Sequence, residues 1–317
     1  MRLAVDLGTS RLRVMDARRQ LLLDWPSLVA FEADSLKVVA VGDEAQPLEG
    51  KTPDSIRCEW PLEDGVITRL EVAVALLTKA LREVAGRLNR PDLVLGVPVG
   101  ATRIEQRAFE QAASEAGARR VHLIRHPLAA ALGAELDQSA GQGHLLLDLG
   151  GGCCDLAVVA HGHVVVGKTL RLGGRRLDRA LVHNIRKQQN LLLSRLTAEK
   201  VKRELASAFP VREEAQLEVH GRDLVSGLPA SRKLDGRQAR EALEPELTGL
   251  LDELRQLLES TPPELCGDIH AHGFSLMGGL SQLAGLDLFL SETMGLEPHS
   301  VDEPQLVLVR GLASYLQ

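Results

Sequence analysis

Runs of apolar residues that end in an aspartate and a glycine turn occur twice along the chain. The first run, Leu3–Thr9, reads Leu-Ala-Val-Asp-Leu-Gly-Thr, and a second strand pattern follows over Leu12–Asp16. The second run, Leu145–Gly152, reads Leu-Leu-Leu-Asp-Leu-Gly-Gly-Gly, and a strand pattern follows over Asp155–Val159. Each copy predicts a strand, a carboxylate, a tight turn and a returning strand. Because internal similarity marks repeated units, we predict two similar domains that face each other.

Strand and helix patterns alternate along the rest of the chain. Leu93–Val97 predicts a buried strand, and Thr102 with Glu105 predicts a capping box at the start of the next helix. The predicted core face of that helix consists of Ile104, Ala108, Phe109, Ala112 and Ala116. Pro127 opens an alanine-rich helix, and the leucines from Leu243 to Leu257 recur at the spacing of one long helix. This alternation predicts an α/β fold in which helices cover mixed sheets.

Composition and charge narrow the possible functions. The chain has 317 residues, 44% of them hydrophobic and 25% charged, which suffices for two domains with packed cores. Its formal charge of -6 argues against a nucleic-acid-binding protein, whose surface carries a basic excess. The aromatic residues are five Phe, two Trp and one Tyr, too few for a surface on which single-stranded bases stack. We therefore expect no nucleic-acid partner.

The cysteines and the apolar runs indicate the compartment. Cys58, Cys153, Cys154 and Cys266 form no C-x-x-C pair, so neither a structural zinc site nor a disulfide framework is expected, and a reducing cytosol fits. No run of 18 or more apolar residues predicts a membrane-spanning helix. The apolar start of the chain ends at Asp6 and is too short for a signal peptide.

Four turns carry glycines that favour ligand binding by the backbone. Glycine lets the main chain approach a ligand closely, and successive N–H groups form a concavity that suits an anion such as a polyphosphate. Asp6 and Asp148 would then lie where a Mg²⁺ ion between phosphates needs oxygen ligands, through water. An isolated Gly-Gly turn is more often an ordinary hairpin, but two Asp-Leu-Gly turns in matching contexts favour phosphate binding. The turns are Asp6–Thr9, Asp148–Gly152, Leu172–Gly174 and Met277–Gly279.

These turns and several further motifs make the chain similar to a known family. It resembles the MreB type of bacterial actin, in the superfamily that also contains heat-shock chaperone ATPases and sugar kinases. The resemblance implies two actin-like domains around a nucleotide cleft, ATP and Mg²⁺ as ligands, and polymerisation into filaments on the inner face of the membrane that organise cell-wall synthesis. The motifs include Val5–Thr9, Asp64–Ile67, Val97–Thr102, Pro127–Ala134, Asp148–Gly152, Gly173–Asp178 and Val219–Leu224.

The resemblance implies domain limits as well as site residues. Residues 1–140 are expected to form domain I, residues 141–300 domain II, and residues 301–317 to pack back onto domain I, with the small, polar stretch Gln138–Gly143 at the edge. The first implied phosphate loop consists of Asp6, Gly8, Thr9, Ser10 and Arg11. The second consists of Asp148, Gly150, Gly151, Gly152 and Cys153. The two aspartates are the implied metal ligands. The implied adenosine contacts are Glu199, Lys202 and Arg203 on one helix face, and Gly278, Gly279 and Leu280 at the adenine-side turn.

The chain departs from the family pattern at the position expected to act on water. The family has Glu-Glu before the alanine-rich helix, whereas this chain has Arg125-His126. A neutral His126 is able to accept a proton, but loss of catalysis is the weightier interpretation. Cys153 and Cys154 replace threonines and donate weaker hydrogen bonds, and Leu280 replaces a glycine where it would crowd the nucleotide. We therefore expect a cleft that binds nucleotide and hydrolyses it slowly or not at all.

Membrane contact and competing functions complete the expectations. The loop Gly86–Pro91 matches a family membrane loop and offers Leu88 between two arginines, although Leu88 as a plain surface residue is about as well supported. The first hypothesis is a cytoplasmic filament protein whose partners are its own copies, the inner membrane surface and cell-wall elongation proteins. The second is a divergent paralogue, without brisk hydrolysis, that co-assembles with an ordinary relative. The third is a small-molecule kinase, for which no substrate motif is visible.

Overall fold

The computed structural model describes residues 1–35, 37–137, 141–210 and 215–316, so the expected domain edge at Gln138–Gly143 lies partly outside the described residues. The strands are β1 Arg2–Leu7, β2 Arg11–Met15, β3 Leu21–Pro26, β4 Val29–Glu32, β5 Val38–Val41, β6 Ile56–Glu59, β7 Leu62–Glu63, β8 Val66–Ile67, β9 Asp92–Val97, β10 Arg120–Arg125, β11 His144–Leu149, β12 Cys154–Ala160, β13 His163–Leu170, β14 Leu191–Leu192, β15 Gln216–Asp223, β16 Pro229–Asp235, β17 Phe274–Met277 and β18 Pro298–Ser300. The helices are α1 Leu70–Ala85, α2 Arg103–Glu115, α3 His126–Gly133, α4 Gly174–Gln189, α5 Arg195–Glu204, α6 Gly236–Glu259, α7 Pro263–His272, α8 Leu286–Met294 and α9 Val307–Ser314.

Two five-stranded sheets share one topology. The first runs β3-β2-β1-β9-β10 and the second β13-β12-β11-β17-β18. In each sheet an antiparallel hairpin, β1–β2 or β11–β12, is extended by an antiparallel strand on one side and by two parallel strands on the other. The prediction of an α/β fold built from two duplicated domains is confirmed.

The predicted helices form where the pattern placed them, with one error. All five leucines of the α6 stripe from Leu243 to Leu257 are buried in the core of domain II. Thr102 and Glu105 form the predicted capping box on α2. Ile104, however, is 81% exposed, so its assignment to the core face is wrong. It lies in the first turn, rotated away from the face on which Phe109, Ala112 and Ala113 are buried.

Two small sheets flank the gap between the domains. The sheet β5-β4-β6 belongs to the first half of the chain, and β14-β15-β16 belongs to the second. Trp60 directly follows β6, and Arg195 begins α5 shortly after β14. These elements therefore bring side chains to the edge of the gap from both halves. Within the described residues, no helix combines the length and apolarity needed to cross a bilayer.

The C-terminal helix α9 packs on domain I. Its residues Val309 and Leu312 share a buried cluster with Ala4, Met15 and Ala129. Helices α3 and α9 approach each other at two glycines, because a Cβ atom on Gly311 would overlap the carbonyl oxygen of Ala129 and one on Gly133 would overlap that of Val307. This close contact fixes α3, and with it His126 at the N-terminal end of α3.

We expect Gly311→Ala to destabilise the protein by about 1–3 kcal/mol, because the added methyl group meets main-chain atoms that have no room to move. Gly249→Ala is the matched control: Gly249 lies within α6 and a Cβ there meets nothing within 4 Å, so this change should stabilise by up to about 1 kcal/mol. Chemical denaturation of both variants measures the difference. Equal effects would contradict the proposed packing.

Candidate functional site in the interdomain cleft

A cavity of about 630 Å³ lies between the two domains, and both aspartate–glycine hairpins line it. The two turns touch each other. A Cβ atom on Gly151 would overlap the side chain of Ser10, and one on Gly152 would overlap that of Thr9. Glycine at these two positions is thus required by the close approach of the hairpins, and the turn from each domain forms one wall of the same cavity.

Asp6 and Asp148 both line this cavity and are largely buried. Arg13 Nη1 lies 3.4 Å from Asp6 Oδ2. Asp148 has a more distant cation, with His126 Nδ1 at 3.9 Å from its Oδ2. Burial raises the pKa of Asp6, against the opposing charge of Arg13. Burial likewise raises the pKa of Asp148 to about 7, with His126 opposing the shift and Asp155 and Asp6 adding to it.

These two carboxyl groups fit a divalent cation. Mg²⁺ prefers oxygen ligands and keeps several waters, and Asp6 and Asp148 supply oxygens from two facing turns. Burial is the largest cause of both raised pKa values, so each carboxylate is costly to hold ionised in the cleft, and a bound cation would offset that cost. The donor set therefore suits Mg²⁺ at this place.

His126 pairs with a carboxylate that the sequence analysis did not assign. Its Nδ1 lies 2.8 Å from Asp155 Oδ2, and because an ionised carboxylate only accepts hydrogen bonds, Nδ1 carries the hydrogen. The other nitrogen, Nε2, lies beside Gly96 of β9, inside domain I. Nδ1 is thus engaged with Asp155 and is not a free acceptor. Burial lowers the pKa of His126, but the hydrogen bond to Asp155 and the charges of the nearby aspartates raise it to about 9.

Asp155 also ties the domains together through its other oxygen. Asp155 Oδ1 accepts hydrogen bonds from the Val99 N–H at 3.2 Å and from the Thr169 hydroxyl. Thr169 in turn accepts from the Gly100 N–H at 2.8 Å. Asp155 and Thr169 belong to domain II, whereas Val99, Gly100 and His126 belong to domain I. Asp155 therefore accepts three hydrogen bonds from protein groups, and its side chain is only 1% exposed, which leaves little access for a water molecule.

The helix expected to contact adenosine lines the same cavity. Helix α5 is capped by Ser194, whose hydroxyl accepts from the Thr197 N–H. Lys202 pairs with Asp178 at 2.7 Å and donates to the Gly174 carbonyl at 2.9 Å. Glu199 accepts from Arg195, whereas Arg203 is exposed. The cavity is thus lined by all three predicted residues, with only Arg203 standing in solvent.

The remaining predicted site residues differ in whether their polar groups are free to bind a ligand. Arg11 is bound to Asp24 with a distance of 2.5 Å, so its charge is already paired within domain I. Cys153 is buried, and its thiol lies where a side chain on Gly65 would be. Burial raises the pKa of the Cys153 thiol. Gly8, Gly150, Gly278 and Gly279 line the cavity.

Leu280 does not close the cleft. Its side chain is 6% exposed and packs in the core of domain II, although it still contributes to the cavity wall. Met277 before it is buried in β17 and does not line the cavity. The turn at Gly278 and Gly279 therefore leaves the cavity open, and burial holds the Leu280 side chain against the core of domain II.

Sequence reasoning missed four residues that shape this site. Asp155 pairs with His126, Arg13 with Asp6, and Asp178 with Lys202. The fourth, Arg175, stacks on Trp60 across the cleft. The acid at position 155, directly after the second glycine turn, was a usable signal, because a charge within an apolar strand needs a partner.

Raising the pH should destabilise the protein that lacks metal and nucleotide. The pKa of His126 is about 9 in the folded state against an ordinary 6.5, so its contribution is full below pH 6.5 and is lost as the pH rises through 9. The loss amounts to about 3 kcal/mol. Asp148 acts at lower pH. Its contribution to the free energy of unfolding is full below its ordinary pKa of 3.8 and is lost as the pH rises to about 7.

Denaturation curves between about pH 7 and 9 measure this effect. His126→Asn is the control, because asparagine still donates a hydrogen bond to Asp155 and does not titrate. Because His126 also holds the pKa of Asp148 down, both proteins should carry Asp148→Asn. In that background the slope should be present with His126 and absent in His126→Asn. Equal slopes in both proteins would show that His126 does not carry the pH dependence.

Comparisons with known proteins agree with this arrangement. The family model of the MreB/Mbl proteins matches residues 1–317. The cell shape-determining protein MreB of Escherichia coli strain K12 is 37% identical over 316 residues, 98% of this chain and 91% of the relative. The crystal structure of MreB5 of Spiroplasma citri bound to AMPPNP is 32% identical with a TM-score of 0.92, over 98% of this chain and 94% of that chain.

A more distant structure shares the fold. The MamK double helical filament has a TM-score of 0.83 at 24% identity and covers 100% of this chain and 98% of that chain. The topology of the two domains, the paired aspartate–glycine hairpins and the match over the whole length agree with one another. This chain belongs to the MreB/Mbl family of actin-like proteins.

Proposed function

We propose that this protein binds ATP with Mg²⁺ in the interdomain cleft and polymerises into filaments that determine cell shape. The observation that carries the proposal is the meeting of two aspartate–glycine hairpins around one cavity, which Asp6 and Asp148 both line. The solved MreB5 relative is bound to AMPPNP in one structure and to ADP in another. That relative is similar over 98% of this chain, which supports a nucleotide in the same cleft.

Both domains would contribute residues that bind the nucleotide and the metal ion. The main-chain N–H groups of the two glycine turns would receive the phosphates, and Asp6 and Asp148 would hold the ion through water. Bound Mg²⁺ supplies positive charge that neutralises and orients the polyphosphate. A ligand that contacts both domains stabilises the closed arrangement relative to an open one, so nucleotide binding shifts the population toward the closed form. We expect that form to polymerise.

The cleft favours slow hydrolysis. A general base must reach the attacking water with a free acceptor. His126 turns its hydrogen-bearing Nδ1 to Asp155, and both oxygens of Asp155 are occupied by donors. Because the pKa of His126 is raised to about 9, its ring is protonated near neutral pH and Nε2 offers no acceptor either. Nucleotide binding rather than turnover would then set the state of the filament.

The same feature favours a second candidate function. A family member with a weak or absent ATPase would serve as a structural or regulatory partner that co-assembles with an ordinary relative. The His126–Asp155 pair is the specific observation behind it, because it replaces a carboxylate base with a paired imidazole. Filaments that form only when an ordinary MreB is added would favour this second function over self-assembly.

We expect the double variant His126→Glu with Asp155→Asn to release phosphate about 10²-fold faster than the wild type, because it supplies a carboxylate base. The amide that replaces the Asp155 carboxylate would keep the hydrogen bonds from Val99 and Thr169. One of its two N–H donors would also bond to the carboxylate that replaces the His126 ring, so the new carboxylate gains a hydrogen-bond partner. Phosphate release and pelleting with ATP and Mg²⁺ are the measurements. Both proteins should pellet in a nucleotide-dependent manner.

Two results would contradict the proposal. Wild-type turnover as fast as that of the double variant would show that the cleft is not deficient in a base. A wild-type protein that stays in the supernatant at high concentration, with and without nucleotide or an ordinary relative, would exclude both polymer functions. Asp155→Asn alone is the matched control and should leave the slow rate unchanged.

The loop after α1 would attach the filament to the inner face of the cytoplasmic membrane. Leu88 is 97% exposed, and it lies between Arg87 and Arg90, which are also exposed. One leucine buries little area, so binding would need many subunits of a filament acting together. The arginines would add attraction to an anionic leaflet. Cell-wall elongation proteins would then be recruited beside the filament.

Leu88→Ser should reduce co-sedimentation of filaments with anionic lipid vesicles several-fold, because it removes the apolar contact from every subunit. Ile104→Ser is the matched control, since Ile104 is 81% exposed on the same domain and should leave vesicle binding unchanged. Both variants should pellet normally without vesicles. Equal vesicle binding by Leu88→Ser and the wild type would contradict a membrane role for this loop.

A further inference from the structure

Arg175 crosses the cleft from the first turn of α4. Its N–H donates to the Gly151 carbonyl at 2.8 Å, which fixes its main chain against the second glycine turn. Its guanidinium carbon lies 3.8 Å from the centroid of the Trp60 ring, on the opposite domain. Arg175 therefore lines the cavity between the glycine turn and helix α5, with Trp60 as the surface on which the guanidinium rests.

Two nitrogens of this guanidinium have no partner. Nε and Nη2 of Arg175 are shielded from solvent and make no hydrogen bond within the described residues. The other buried cations of the cavity are matched by acids: Arg13 by Asp6, Lys202 by Asp178, and Arg195 by Glu49. Arg203 also lines the cavity, but water reaches it. Arg175 thus stands out among the described residues as a shielded cation without an acidic partner.

The neighbouring charges do not remove this imbalance. Arg195 lies over the same Trp60 ring at 4.8 Å and adds a second positive charge. Glu49 accepts two hydrogen bonds from Arg195, at 2.8 and 2.6 Å, so its oxygens are engaged. Burial, with repulsion from Arg195, lowers the pKa of Arg175 to about 10 against the attraction of Glu49, Glu199 and Asp178, none of which bonds to it, and Arg175 stays charged near neutral pH. A shielded, unpaired cation is costly, and an anion from a ligand would offset that cost.

We propose that Arg175 is a nucleotide-binding residue whose free Nε and Nη2 donate to a phosphate oxygen of the nucleotide, while Trp60 holds the guanidinium plane in place. The planar fork of an arginine suits two parallel hydrogen bonds to a phosphate. The inference rests on the proposed function, since it assigns a further contact to the same cleft. It names the phosphate chain, and not the base or the ribose, as the group that Arg175 recognises.

The test compares Arg175→Met with Arg176→Met, a matched control at the next position. Arg176 is exposed and pairs with Glu246 at 2.6 Å. Calorimetry measures the dissociation constant of ADP with Mg²⁺, and competition with a labelled ADP measures that of adenosine. Arg175→Met should weaken ADP binding about 10- to 100-fold, the effect of losing a charge-assisted hydrogen bond, and leave adenosine binding within about twofold. Arg176→Met should change neither.

Each other result overturns the inference. Unchanged ADP binding by Arg175→Met would show that the guanidinium does not contact the phosphates, and an equal loss for adenosine would place it on the nucleoside. A wild type that binds no ADP would instead refute the proposed function itself. If Arg175→Met fails to fold, Arg175→Lys replaces it. This variant should weaken ADP binding by a smaller factor and leave adenosine binding unchanged. Unchanged ADP binding, or an equal loss of adenosine binding, would again overturn the inference.

Discussion

The structure depends on how one cleft accommodates the carboxylates of Asp155, Asp6 and Asp148, which lie close to His126. Asp155 is satisfied within the protein, by the Val99 N–H, the Thr169 hydroxyl and His126. Asp6 has one arginine at a long distance, and Asp148 has the imidazole at 3.9 Å. The first carboxylate therefore holds the domains together, and the other two leave charge for a ligand to neutralise. Both the fit to Mg²⁺ and the proposed function follow from this division.

His126, at the position where a glutamate was expected, has a structural role of its own. His126 brings a donor to Asp155, and α3, which carries His126, is fixed by its close packing on α9 at Gly133 and Gly311. The residue thus contributes to the contact between the domains at the place where a water would be activated. Under the proposed function, such a contact favours a long-lived nucleotide-bound state over rapid turnover.

The sequence predicted the features that local patterns encode. The paired hairpins, the capping box of α2 and the leucine stripe of α6 each repeat a period or a spacing that one segment contains. The pairing of His126 with Asp155 and the stacking of Arg175 on Trp60 join segments far apart, and no local period reports them. The short strands β4 and β14 contain too few residues to show an alternation of apolar and polar positions. Ile104 fitted the helical spacing of the apolar residues, although it lies on the solvent side of α2.

The central claim is that Asp6 and Asp148 hold one metal ion beside one nucleotide. The most direct measurement is the affinity for ADP with Mg²⁺ and with a chelator, in the wild type and in Asp148→Asn. The account predicts one ADP per chain, tighter with Mg²⁺ in the wild type, and an affinity in Asp148→Asn that no longer responds to Mg²⁺. Absence of binding, or an undiminished response to Mg²⁺ in the variant, would contradict it.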